Sequence, residues 1–270
     1  MVGNRISMAK RIIYGLIVLA AVVVGIYQYY YNRWQYLWAL EEEREPYAIT
    51  RHADDTLRIA MIGDSWVGMR KDVYNESLGR HLSQQTGRPV VVATKGKGGE
   101  KSRGIYRLMF EDGVHGTHSL IADGPDFCVV FAGINDCQAN LGTNQFRHHF
   151  RMILQFLLQN GIRPVVVEIP DVDIWTVKKD KPWKDLMSDF VKSTMGGGRL
   201  YQFADYREAL NEMLTAENLL HDVVFVPMNE WSETPDLFLD DRVHLNDTGY
   251  SRMDSCIAKH IADYLTQNPQ

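Results

Sequence analysis

Residues 57–66 read "LRIAMIGDSW". Apolar side chains fill all but one of positions 57 to 62, and Gly63-Asp64-Ser65 then stops the run. A run of six residues is too short for a helix and suits a strand buried on both faces. The same pattern returns in "PVVVAT" (89–94), "FCVVFAGIND" (127–136), "PVVVEIP" (164–170) and "VVFVPM" (223–228). Between these runs lie helical patterns: "VYNESLGRHLSQQTG" (73–87), "SRGIYRLMFEDGV" (102–114), "QFRHHFRMILQFLLQNG" (145–161), "FADYREALNEMLTAENL" (203–219) and "DTGYSRMDSCIAKHIADYL" (247–265). Gly87 and Gly161 are expected helix stops, and Asp247 an expected cap of the last helix. Strands alternating with helices predict an α/β fold, a five-stranded parallel sheet with helices on both faces. In such sheets a site forms beyond the carboxyl ends of the strands.

Four segments are expected at that edge. They are Gly63-Asp64-Ser65-Trp66, "GKGGEKS" (96–102), Gly133-Ile134-Asn135-Asp136 and "DDRVHLN" (240–246). The second resembles a phosphate-binding loop, but Glu100 stands where that motif needs glycine before Lys101-Ser102, so a nucleotide is not expected. Together the four supply the parts of acyl transfer. Ser65 is a hydroxyl nucleophile that needs a base. His244 titrates near enough to neutrality to take its proton. Asp241, three residues earlier, reaches the other ring nitrogen across a turn. The Ser65 and Gly99 backbone N–H groups and the Asn135 amide are candidate donors to an oxyanion. Gly99, without a Cβ, is expected to let the backbone approach a substrate. Asp64 and Asp136 are read as loop braces.

This set resembles the SGNH hydrolases, the GDSL-type esterases and lipases. The blocks Gly63-Asp64-Ser65, Gly96 to Gly99, Gly133-x-Asn135-Asp136 and Asp241-x-x-His244 stand in that family's order, over residues 57 to 266. The resemblance implies a flavodoxin-like three-layer α/β/α sandwich. It also implies Ser65, Gly99, Asn135 and His244 as the four named residues, with Asp241 completing a triad. No G-x-S-x-G surrounds the serine, so the α/β-hydrolase fold is disfavoured. Trp66, Thr94, Glu100 and Lys101 depart from the common pattern, which bears on substrate preference. A serine esterase acting on a small acyl ester, O-acetyl on an envelope or extracellular carbohydrate, is the expected function. An O-acetyltransferase using the same triad is one alternative. A non-catalytic carbohydrate-binding or assembly protein is another.

The chain has 270 residues, 45% of them hydrophobic, and a net charge of -5. That balance argues against nucleic-acid binding. Three cysteines, Cys128, Cys137 and Cys256, form no disulfide framework. No cofactor is expected, and none of His115, His118, His148 or His149 carries zinc spacing, so no metal is expected and these are read as surface or helix-face residues. Cys137 is read as packing, without a local base to activate it.

Ile12 to Tyr31, "IIYGLIVLAAVVVGIYQYYY", contains no charge. Twenty residues of helix rise about 30 Å, the thickness of a bilayer core. Arg5, Lys10 and Arg11 precede it, and Glu41, Glu42, Glu43 and Glu45 follow, which predicts a cytoplasmic N-terminus. The tyrosines and tryptophans from Tyr27 to Trp38 resemble an interfacial belt. No small-x-small site follows, so an uncleaved anchor is expected over a cleaved signal. The expected layout is a cytoplasmic 1–11, a transmembrane 12–31, a juxtamembrane helix and linker 32–56 ending its helical pattern at Pro46, and a hydrolase domain 57–270. The partners implied are the membrane and an acylated small molecule or glycan, and the sequence leaves the oligomeric state open.

Two features stay open. Lys95, Lys97, Lys101 and Arg103 make either a solvated rim or a positive edge for an anionic substrate. Residues 171–205 lack a sheet role; there Trp175 and Trp183 either stack on sugars or pack, and Gly196-Gly197-Gly198 reads as a flexible turn.

Overall fold

The computed structural model describes residues 2–172, 178, 180–228 and 234–268. In chain order the elements are α1 (Val2–Trp34), β1 (Leu57–Gly63), α2 (Ser65–Gly68), α3 (Asp72–Thr86), β2 (Val90–Gly96), α4 (Ser102–Leu108) and α5 (His118–Ala122). They continue with β3 (Phe127–Phe131), α6 (Ile134–Gln138), α7 (Thr143–Gln159), β4 (Arg163–Val167), α8 (Trp183–Met195), α9 (Phe203–Ala216), β5 (Val224–Val226) and α10 (Asp247–Gln267). The five strands form one parallel sheet in the order β2-β1-β3-β4-β5, the doubly wound order of flavodoxin-like folds. β3 is buried at every position, which is why its sequence is apolar without alternation. β2 is an edge, and its Val91 is exposed.

Register sets the site. Gly63 pairs with both Gly96 and Phe131, so three strands end at one level. The segments that follow them therefore leave the sheet side by side. Helix α3 stops at Gly87 in the left-handed conformation, as its sequence suggests. Helix α10 is capped by Asn246, whose side chain accepts from the Gly249 N–H, rather than by Asp247. Asp247 instead pairs with Lys71 and Tyr74 of the α3 side.

The segment before β1 departs from expectation. The helical pattern ends not at Pro46 but at Trp34, followed by one 3-10 turn over Gln35–Trp38. From Ala39 the chain is extended and fastened to the domain along its length. Trp38 Nε1 donates to Leu141 O, the Arg44 N–H to Tyr106 Oη, Tyr47 Oη to Met109 O and the Thr50 N–H to Ala122 O. Glu41 takes the Arg103 guanidinium at 2.7 Å. Tyr47 packs its ring among Phe110, His118 and Phe156.

His149 is not a surface residue. It is fully buried, accepts the Glu41 N–H at Nε2 and faces Gln145 O with Nδ1. Burial is the main reason its pKa falls to about 4. A depressed histidine stabilises the fold fully above its unfolded pKa near 6.5, and that contribution is lost as the pH falls through 4. The stability gap between the native protein and a His149→Gln variant should therefore narrow by about 2–3 kcal/mol from pH 7 to pH 4. Denaturant titrations at both pH values measure it, and a gap independent of pH contradicts it.

Nor is the glycine run after α8 a flexible turn. A Cβ on Gly196 would lie 1.8 Å from Leu141 O, so glycine is required by close backbone approach.

Candidate active site

The chain turns sharply after β1 because Asp64 caps it. The Asp64 carboxylate accepts the Trp66 N–H at 3.0 Å, and Asp64 O accepts the Gly68 N–H at 2.8 Å. The turn leaves Ser65 at the start of α2, 9% exposed. Gly96 at the end of β2 presses against this turn, where a Cβ would meet Gly68 N at 2.5 Å and Asp64 O at 2.7 Å.

His244 arrives on a turn before α10. That turn is closed by the Leu239 N–H to His244 O bond and passes through Arg242 at φ 60°, an uncommon angle for a residue with a side chain. It brings Asp241 Oδ2 to 2.6 Å from His244 Nδ1 and His244 Nε2 to 2.9 Å from Ser65 Oγ. Asp241 Oδ1 accepts the backbone N–H groups of Val243 and His244, both at 2.9 Å. Burial alone would raise the Asp241 pKa, but the His244 backbone and ring and the Val243 N–H outweigh it and hold the carboxyl below its ordinary range. The structure thus gathers Ser65, His244 and Asp241 into one hydrogen-bonded chain.

Trp66, one of the departures from the family's common pattern, has a structural role. It is buried, and its Nε1 donates to Val243 O at 3.0 Å. Its backbone carbonyl takes the Tyr250 hydroxyl from α10. The residue beside Ser65 thereby clamps the serine turn to the histidine turn.

Gly99 stands at φ +74°, and a Cβ there would meet no atom within 4 Å. Its backbone angle favours glycine. Among the described residues, neither the Ser65 nor the Gly99 backbone N–H donates to a partner. Asn135 differs from these two. Its Nδ2 is 3.1 Å from Asp64 Oδ2 and 3.0 Å from Glu100 O, so both amide hydrogens already have acceptors.

Two buried carboxyls flank it. Asp136 accepts the Ser102 hydroxyl and N–H, tying α4 to α6. Burial raises the pKa of each, that of Asp64 to about 7, with the Asp136 charge adding to the effect on Asp64. Nothing in the sequence marked Asp64 as more than a brace. Its place beside both the Ser65 turn and Asn135 appears only in three dimensions.

The basic cluster is largely spent within the molecule. Lys97 pairs with Glu100 at 2.8 Å and Arg103 with Glu41. Lys95 contacts Gly113 O and Ser119 Oγ, and Lys101 lies 3.5 Å from Gly99 O. Trp183 is 78% exposed and so anchors no helix to the core, while Trp175 lies outside the described residues. Cys137 is buried, and burial pushes its thiol well above its ordinary pKa. Among the described residues no group of three His, Cys, Asp or Glu side chains is placed to hold a metal.

Against models of known families, residues 61–252 match the GDSL-like Lipase/Acylhydrolase family. A search of curated proteins finds no match. Among solved structures, the chain is similar to the lipase/acylhydrolase from Enterococcus faecalis, at 16% identity and TM-score 0.57, over 77% of this chain and 96% of that one. It is also similar to the acetyl xylan esterase AlAXEase, at 17% identity and TM-score 0.53, over 76% of this chain and 100% of that one. An acetyl-xylooligosaccharide esterase from Geobacillus stearmophilus matches at 17% and 0.53, over 76% and 94%. At these identities the likeness is one of fold.

Proposed function

The chain belongs to the GDSL-like lipase/acylhydrolase family and is a carboxylic ester hydrolase, and from that premise we propose a membrane-anchored serine esterase that removes O-acetyl groups from a carbohydrate outside the cytoplasm. One observation carries the chemistry: the unbroken chain from Ser65 Oγ through His244 to Asp241, at 2.9 and 2.6 Å. In the proposed reaction His244 Nε2 takes the Ser65 proton as Oγ attacks the ester carbonyl carbon. Asp241 holds the ring and offsets the imidazolium charge. The Ser65 and Gly99 N–H groups receive the oxyanion, with Asn135 turning one amide hydrogen from its resting acceptor to join them. Collapse breaks the ester C–O bond, and His244 returns the proton to the leaving sugar hydroxyl. A water, deprotonated by His244, then attacks the acyl-enzyme, releasing the acid and restoring Ser65. His244 and Asp241 are part-exposed, so water reaches the site, which supports hydrolysis over transfer.

The acetylated-carbohydrate class is supported by two proteins of this fold that act on acetylated xylan or xylo-oligosaccharides. The membrane assignment is supported by α1: Met8–Trp38 is long and apolar enough to cross a bilayer, and none of its most apolar window is buried against the domain. The basic residues before it support an inside N-terminus, with residues 57–270 as the catalytic domain outside.

A fluorophosphonate should label Ser65 covalently, and acetylated xylan should release acetate into water rather than pass acetyl to an added glycan. Absence of labelling together with glycan binding would instead indicate a binding protein. Asn135→Ala should lower kcat by about 10²–10³-fold with little change in KM, because its contact strengthens only at the transition state. Steady-state kinetics on an aryl acetate measure this, and an effect confined to KM would remove Asn135 from the oxyanion site.

A further inference from the structure

Helix α8 is built inside out. Its fully buried positions are polar, with Leu186 packed beside them against the core: Asp189 and Ser193 are buried, and Asp189 gathers Lys181, Lys192 and Tyr201. Its outward positions are apolar. Trp183, Met187 and Phe190, spaced four and three apart, share one face and are 78%, 46% and 53% exposed. A helix covering a soluble domain carries the opposite arrangement, so this stripe marks an interaction surface.

Its surroundings say what covers it. Lys192 Nζ sits 4.8 Å from the ring centroid of Trp34 in the last turn of α1. Trp34 lies three residues, about 5 Å of helix, beyond the uncharged stretch that ends at Tyr31. Helix α8 thus borders the point where α1 leaves the domain. Between Lys178 and Arg199 the sequence carries six basic and three acidic residues; Lys181, Lys192 and Arg199 pair with Asp189 and Asp205, while Lys184 is exposed beside Trp183. An apolar face with an aromatic anchor and a basic flank is the composition of a helix lying on an anionic bilayer.

We propose that α8 is a second membrane contact, lying at the headgroup level of the bilayer that α1 crosses, with Trp183, Met187 and Phe190 immersed and Lys184 toward anionic headgroups. This rests on α1 as a transmembrane anchor. Two attachments, α1 and α8, then fix the orientation of the domain. The α6–α7 loop, which begins four residues after Asn135 and holds Trp38, is drawn close to the lipid surface.

The test uses the full chain in vesicles of phosphatidylethanolamine and phosphatidylglycerol whose acyl chains are brominated near the headgroup. Emission lost on Trp183→Phe substitution isolates the Trp183 signal, and Trp34→Phe isolates that of the anchor. Both signals should fall at least about twofold relative to unbrominated vesicles. Quenching of Trp34 with an unchanged Trp183 overturns the proposal and leaves the anchor standing. Quenching of neither overturns the anchor and the proposal with it. A Trp183 signal that shifts to the blue with protein concentration, without lipid quenching, identifies a second copy as the cover and also overturns it. Trp183 is exposed and outside the catalytic residues, so Trp183→Phe should keep its activity on a soluble ester, which verifies folding.

Discussion

Ser65→Ala should lower kcat on a soluble acetyl ester by on the order of 10⁶-fold, the scale at which a serine hydrolase loses its nucleophile. The structure explains why so large a functional loss should leave stability nearly unchanged. Ser65 Oγ contributes one hydrogen bond, to His244 Nε2, and His244 stays fixed by Asp241 through its ring and its backbone. The turn itself is held by Asp64, Trp66 and Gly96, none of which is altered. Thermal unfolding should shift by no more than about 2–4 °C, since losing one hydrogen bond at this nearly buried hydroxyl costs about 1 kcal/mol. Fluorophosphonate labelling should vanish. Retention of more than about 1% of the native kcat would show that another group attacks the ester.

Asp254→Ala should be the most destabilising of the substitutions considered, by about 3–5 kcal/mol. Arg70 and Asp254 have fully buried side chains and meet at 2.7 Å. Arg70 also donates Nε to Asn75 and Nη2 to Tyr74 O, and its guanidinium lies 5.8 Å from the ring centres of both Tyr74 and Tyr250. Truncating Asp254 leaves that guanidinium buried without its counter-charge. Burial pushes the Asp254 carboxyl up to about 7, with Arg70 pulling the other way, so the measurement belongs at pH 8, where the pair is ionised. A domain of this size should lose roughly 10 °C in Tm. The pair itself adds little net stability, because desolvating two charges consumes most of their attraction. An Arg70→Met/Asp254→Leu double variant should therefore recover most of the loss. If the double variant is as unstable as the single one, the loss comes from packing rather than from an unpaired charge.

The strands were legible because burial on both faces leaves a sequence signature, an apolar run with no alternation, as in Phe127–Phe131. The residues of the candidate site were legible for a related reason. Ser65, Gly99 and Asn135 each follow a strand end, and parallel strands in register deliver those ends to one edge. Asp241 and His244 share one turn, so their contact is local in sequence. What stayed hidden depends on contacts across long stretches of chain. His149 looked like a surface residue because its partner is Glu41, 108 residues away. The structural role of Trp66 was hidden because nothing local foretells its bond to Val243, 177 residues on. Arg70, in the loop between α2 and α3, and Asp254, on α10, carry no signal at all, since a charged residue in a loop or on a helix is ordinarily solvated. The cap of α10 was missed by one residue because Asn246 and Asp247 both qualify and only backbone angles separate them.

The extended segment after α1 has a consequence for where the enzyme can work. A loose connector of about 25 residues would let a domain wander some 25–30 Å from its anchor point. Here Trp38, four residues past the end of α1, is already bonded to Leu141, and the bonds continue to Thr50. With α1 in a bilayer, the tether has no slack. The enzyme would patrol a thin layer at a set height, meeting substrates by lateral diffusion rather than by reaching outward. If the substrate is the proposed acetylated carbohydrate, chains beyond that layer would go untouched until they came to the membrane.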